Sequence, residues 1–108
     1  MLEIEISQIF SLVSKGKILW TEHVATRLRE RGIKRCDVIE CIENGSIIEQ
    51  YPDHTPFPSC LILGNCKENK PLHLVVGLNA DVMCCMITAY RPDLDKWRDD
   101  FKTRKEGI

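Results

Sequence analysis

Leu72-His73-Leu74-Val75-Val76-Gly77-Leu78 and, beyond the Asn79-to-Val82 turn, Met83-Cys84-Cys85-Met86-Ile87-Thr88-Ala89-Tyr90 read as the two arms of a β-hairpin. Side chains alternate across a strand, so the register of this hairpin decides which set is buried. Pairing Leu78 with Met83, Val76 with Cys85 and Leu74 with Ile87 gathers Leu72, Leu74, Val76, Met83, Cys85, Ile87 and Ala89 on one apolar face. A slip of one residue mixes the faces. The opposite face then carries His73 beside Thr88, with Tyr90 one step along. A further strand, Cys60 to Cys66, joins through Lys67-Glu68-Asn69-Lys70 and adds Leu61 and Leu63 to the apolar face. The same register sets Gly64 next to His73, leaving a gap that would admit a ligand or another backbone.

Upstream, Ser46 to Tyr51 reads as one more strand, followed by an irregular Pro52-to-Pro58 loop. Before it the apolar period is helical. Ile6, Ile9, Phe10 and Val13 mark a helix over Glu3 to Ser14, stopped by Gly16. Thr21 is placed to cap a second helix, with Trp20 stapled against Ala25 and a buried stripe of Trp20, Val24 and Leu28. Gly32 ends that helix, with Ile33 folding back in a Schellman-like turn. A third helix, about Arg35 to Glu43, buries Val38, Ile39 and Ile42. Asp93 is placed to cap a last helix that buries Leu94, Trp97 and Phe101. The expected fold is a single α+β domain over residues 1–108: N-terminal helices, then a four-stranded, largely antiparallel sheet and a C-terminal helix.

With 108 residues, 44% hydrophobic and 29% charged, the composition is that of one globular domain, neither disordered nor fibrous. No run approaches the length of a membrane span, and Glu3 and Glu5 stand where a signal peptide needs cations. The expected compartment is therefore the cytoplasm, where Cys36, Cys41, Cys60, Cys66, Cys84 and Cys85 stay reduced. They form no Cys-x-x-Cys pair and read as small apolar filler; a thiol or metal site on Cys60, Cys66 and Cys84 is the weaker alternative. The net charge of −1 argues against a general nucleic-acid coat. Its distribution is uneven. Seven cations against two anions between Lys15 and Arg35 give that stretch +5, so the remainder carries −6.

Within the basic stretch, His23, Arg27 and Arg31 recur every four residues and share one helical stripe. Arginines at that spacing suit an anion clamp, although charged stripes are more often simply solvated. A neutral His23 near the positive helix end would serve as a base. His73 shares its face with the Thr88 hydroxyl and the Tyr90 phenol, a grouping with acid–base capacity; the plainer reading is a satisfied core histidine. His54 is assigned to solvent. No His-Glu-x-x-His, phosphate-binding glycine loop or Gly-x-Ser-x-Gly occurs.

The run Thr21-Glu22-His23-Val24-Ala25-Thr26-Arg27-Leu28-Arg29-Glu30-Arg31-Gly32-Ile33 is followed by Asn44-Gly45, Tyr51-Pro52 and Leu72-His73-Leu74-Val75-Val76. With Ile87-Thr88-Ala89-Tyr90-Arg91-Pro92-Asp93 and Trp97, these motifs resemble domain-of-unknown-function family 4258 over residues 20–97. Lys34, where that family favours a Ser or Thr cap, and the six cysteines depart from the pattern. The family resembles RelE-like, barnase-related toxin ribonucleases. That resemblance implies a metal-independent RNA endonuclease of a bacterial toxin–antitoxin pair, with RNA as substrate and a zinc-finger antitoxin as partner. His23, His73, Thr88 and Tyr90 would be catalytic, Arg27 and Arg31 would bind phosphate, and no metal or cofactor would be needed. The alternative is a non-catalytic binding module that holds an acidic partner on the basic helix face. Because the apolar stripe of the second helix must be buried, its basic stripe is expected to reach over the sheet rim and form one site with Gly64, His73 and Tyr90.

Overall fold

The computed structural model describes residues 3–66, 69–80 and 82–105; the Lys67-Glu68 half of the expected connection lies outside them. Three helices, α1 (Ile6–Ser14), α2 (Glu22–Glu30) and α3 (Arg35–Asn44), cover one face of a mixed sheet. Its strands are β1 (Ile18–Leu19), β2 (Ser46–Tyr51), β3 (Ser59–Cys66), β4 (Lys70–Asn79) and β5 (Met83–Tyr90), in the order β1-β5-β4-β3-β2. The expected α+β class stands, but two parts of the expected architecture do not. The sheet has five strands, because the short β1 adds in parallel to β5. Among the described residues the expected C-terminal helix does not form: residues 93–105 run as turns, bends and an isolated bridge.

Local chemistry accounts for the helix ends. The Val24 N–H donates to the Thr21 hydroxyl at 3.2 Å, the expected cap of α2. At its other end Gly32 takes φ +67°, and Ile33 N–H returns to the Leu28 carbonyl at 2.9 Å, closing a Schellman turn over the buried Ile33. Lys34 has no side-chain acceptor for the start of α3. The Asp37 carboxylate compensates by accepting the Lys34 backbone N–H at 2.9 Å. In α1 the buried pair is Ile9 and Leu12, while Phe10, expected inside, is 45% exposed. Trp20 is half-buried beneath the Arg35 guanidinium, which lies 5.0 Å from its ring centre in a cation–π contact.

The C-terminal segment begins as the sequence suggests, with Lys96 and Trp97 N–H both reaching the Asp93 carbonyl at 3.0 Å. It then stops being helical. The Asp100 carboxylate takes the backbone N–H of Lys102 and Thr103 and the Thr103 hydroxyl, offering the chain a turn in competition with a helix. Phe101 sits at φ +58°, and the chain doubles back so that Trp97 bridges Arg104. Of the three residues expected on a buried helical face, only Trp97 is fully buried; Leu94 is 52% exposed.

Both sheet registers differ from the sequence reading. In β3–β4, Leu63 pairs with His73 and Gly64 with Leu72, so Cys60, Ile62, Gly64 and Cys66 face the helices while Leu61 and Leu63 face away. In β4–β5, Leu74 pairs with Ala89 and Val76 with Met86, the intervening Ile87 being taken up in a bulge. The helix-side face of β5 is therefore Cys84, Met86 and Ala89, not Met83, Cys85 and Ile87. His73, Thr88 and Tyr90 still share the far face.

Gly64 decides the β3 register. A Cβ there would run into the Cys41 carbonyl oxygen, lie 2.7 Å from Cys41 Sγ and 3.0 Å from Asn44 Oδ1. Only glycine lets α3 lie this close on β3, so the expected gap beside His73 is instead a backbone-to-backbone contact on the opposite face. Gly64→Ala should cost about 1–3 kcal/mol by overpacking, read as a lower urea midpoint with little change in slope. A midpoint equal to wild type would show that α3 does not press on β3 here.

Candidate functional site

The far face of the sheet carries Glu49 and Tyr51 on β2, His73 on β4 and Thr88 and Tyr90 on β5, all placed there by strand alternation. The segment after β5 folds across it. His73 is completely buried, its ring edge-on to Trp97 with centroids 4.6 Å apart. Its Nε2 lies 2.8 Å from the Phe101 carbonyl oxygen, which can only accept, so Nε2 carries the proton. Nδ1 then accepts from the Tyr90 hydroxyl at 3.2 Å. Burial holds the His73 pKa below its ordinary value, against the opposing pull of the Phe101 carbonyl and the Glu49 charge. Both ring nitrogens are occupied. His73 thus has the geometry of the plainer sequence reading, a satisfied buried histidine, and it ties Tyr90 to the covering segment.

The same segment is clamped at its far end. Arg104 grips Glu49 with a fork of two bonds, 2.9 Å from Nε and 3.0 Å from Nη2, and its guanidinium lies 4.6 Å over the Trp97 ring. The Tyr51 hydroxyl donates to Glu49 at 2.5 Å. The Arg104 bonds hold the Glu49 carboxyl below its usual range, and burial, reinforced by Glu49, pushes the Tyr51 phenol up to about 12.

Beside this clamp opens a cleft of about 360 Å³ lined by Tyr90, Arg91, Asp93, Lys96, Trp97 and Arg104. Its lining carries three cations and one carboxylate; Arg91 Nη1 also donates to Cys66 Sγ at 3.3 Å, and Arg104 is the group that grips Glu49. Burial raises the Tyr90 phenol above its ordinary pKa, so it is protonated at neutral pH. Arg31, expected to join the sheet site, reaches β5: its Nη1 donates to the Ala89 carbonyl at 2.7 Å and to the Thr88 hydroxyl at 3.3 Å. Thr88 stands two residues from Tyr90 on the same face, so Arg31 and Thr88 flank the Tyr90 position. Arg27 turns instead to its helix neighbour Glu30 at 3.5 Å, an exposed pair of little energetic weight. His23 is exposed on α2 with no hydrogen bond to the sheet residues. Of the residues expected in one site, Arg31 bonds Thr88 and His73 bonds Tyr90, whereas Arg27 turns to Glu30 and Gly64 lies against Cys41 on the opposite face. Glu49, Arg91, Asp93, Lys96 and Arg104 were missed as site residues from sequence. Arg104 gave no signal there at all, because it meets Glu49 across 55 residues.

Cys60, Cys66 and Cys84 do not converge: among the described residues no three His, Cys, Asp or Glu side chains are grouped as a metal site requires. Burial pushes the Cys60 thiol up to about 12 and Cys84 up to about 11, leaving both protonated and inert at neutral pH. Among the described residues no helix is long and apolar enough to cross a membrane.

A family model described as a domain of unknown function, DUF4258, matches residues 20–91. This chain belongs to the DUF4258 family. No curated protein and no solved structure matches it. The DUF4258 match runs from the start of α2 to the end of β5, and so contains Arg31, His73, Thr88, Tyr90 and Arg91. Asp93, Lys96, Trp97 and Arg104 lie beyond it, so the segment that closes over His73 is outside the matched DUF4258 region.

A depressed His73 pKa makes stability depend on pH with a definite sign. Between its folded value and the ordinary 6.5 the unfolded chain binds the proton and the folded one does not. The contribution is complete above 6.5 and is lost as the pH falls through the folded value. The urea midpoint should therefore drop from about pH 7.5 to about pH 5.5, a window above Glu49's titration, and His73→Gln should flatten that slope. An identical slope in His73→Gln would assign the effect elsewhere.

Proposed function

We propose that this protein is a metal-independent RNA endonuclease of the toxin type, acting at the cleft beside Tyr90. The observation that carries the reading is the convergence of Tyr90, Arg91, Asp93, Lys96 and Arg104 on one open cleft, with Arg31 and Thr88 on its flank. Strand cleavage next to a ribose 2′-hydroxyl needs a base, an acid and cations around a phosphorane. Asp93 is the carboxylate lining the cleft. It would take the 2′-hydroxyl proton as the 2′-oxygen bonds to phosphorus. Arg91 and Lys96 would hold the extra negative charge, with Arg104 behind them. As the bond from phosphorus to the 5′-oxygen breaks, the Tyr90 phenol would turn its single O–H from His73 Nδ1 to the leaving oxygen and give up that proton, the phenolate left behind being stabilised by the neighbouring Arg91 and Arg104. The His73 contact holds the phenol oxygen in place beforehand. The likeness to RelE-like toxins supports the same reading and adds a zinc-finger antitoxin as partner, with Asp93 and Tyr90 in the acid–base roles because both ring nitrogens of the buried His73 are bonded.

A second reading is favoured by one observation. The expected histidine is sealed under Trp97 and Phe101, which suits a binding module that holds an anionic partner without cutting it.

Purified protein incubated with RNA separates the two. Endonuclease action predicts fragments ending in 2′,3′-cyclic phosphate, unaffected by EDTA, with Tyr90→Phe slower by roughly a hundredfold. Arg91→Ala and Lys96→Ala should weaken RNA binding. RNA bound but never cut would establish the binding module. Growth arrest on expression, relieved by the product of a neighbouring gene, would support the toxin pairing.

A further inference from the structure

A second concavity lies on the other flank of α2, away from the Tyr90 cleft. Where α2 turns into α3, a groove of about 450 Å³ is floored by Ala25, Leu28 and Ile33 and rimmed by Arg29, Lys34 and Arg35. Residues 25, 28, 29 and 32 fall on one helical stripe, opposite the one carrying His23, Arg27 and Arg31. Gly32 leaves the mouth open, since a Cβ there would meet nothing within 4 Å. No acidic residue lines the groove. Among the described residues no carboxylate pairs with its three cations: Arg29 bonds the Thr26 hydroxyl at 3.2 Å and Arg35 lies over Trp20.

We propose that this groove binds an acidic protein segment that anchors one aliphatic side chain between α2 and α3. The charge argues for the acidity. Three cations whose charged heads pair with no carboxylate among the described residues repel one another, and carboxylates from a partner relieve that repulsion. The floor argues for protein over nucleic acid. It is aliphatic, which suits a Leu, Ile or Met anchor; a nucleobase needs an aromatic face to stack on, and no aromatic side chain lines the groove. The site is separate from the Tyr90 cleft and does not depend on how that cleft functions.

Selection of a displayed library of short random peptides on the wild-type protein tests this, with oligouridylate as the competing probe. The expected winners carry an aliphatic residue flanked by Asp or Glu, and shift the backbone amide resonances of Ala25 and Gly32. They should bind the double variant Arg29→Glu with Lys34→Glu at least about tenfold more weakly, and Tyr90→Phe as well as wild type. Both reversed positions are exposed, and a thermal melt of the double variant confirms folding. No acidic–aliphatic winner, winners that bind the double variant equally, or displacement by oligouridylate from Ala25 and Gly32 would each overturn the proposal.

Discussion

The close approach of α3 to β3 at Gly64 is the constraint on which the rest of the fold depends. A helix normally stands off a sheet by the thickness of two layers of side chains. Here the Cys41 carbonyl sits against the strand backbone because Gly64 has no side chain, and Gly45 permits a second close contact with Ile62 and the Leu63 carbonyl. Once Gly64 faces the helix, alternation forces Cys60, Ile62 and Cys66 to the same side and Leu61 and Leu63 to the other. Pairing with β4 then fixes Leu72, Leu74 and Val76 in the core and sends His73 away from it.

Four of the cysteines belong to the same core: Cys41, Cys60, Cys66 and Cys84 are all buried between helices and sheet, Cys41 at the Gly64 contact itself. Burial raises the Cys41 thiol to about 12, and its hydrogen bond is to the Leu72 carbonyl. These thiols act as small, weakly polar spacers.

On the far face the decisive element is a segment without regular structure. Asp100 and the left-handed Phe101 turn the chain back, and the Phe101 carbonyl meets His73 while Arg104 meets Glu49. A polar face is thereby converted into a second, smaller core built from a histidine, two tyrosines and a tryptophan, with both tyrosine hydroxyls and both histidine ring nitrogens hydrogen-bonded. Tyr90 belongs to both worlds. Its hydroxyl bonds His73 in the interior, and its other side lines the cationic cleft.

Periodicity and end signals in the sequence determined where the helices and main strands lie. Thr21, Gly32 and the run of apolar residues in α3 act within a few residues, and such local forces survive translation into structure unchanged. The placement of His73, Thr88 and Tyr90 on one face also came out as expected, because the pairing there is offset by two residues from the expected one and an even offset preserves the faces. Register was not legible: the β3 pairing turned on a helix carbonyl more than twenty residues away, and the β5 bulge at Ile87 on which residues the core would accept. The short β1 has too few residues to show a period, and forms because Ile18 and Leu19 find the open edge of β5. Whether the last segment became a helix or a clamp was decided by long-range partners, the fork between Arg104 and Glu49 and the carbonyl held by His73. Tertiary structure alone settled these choices, because each depends on free energy gained between groups that sequence order keeps far apart.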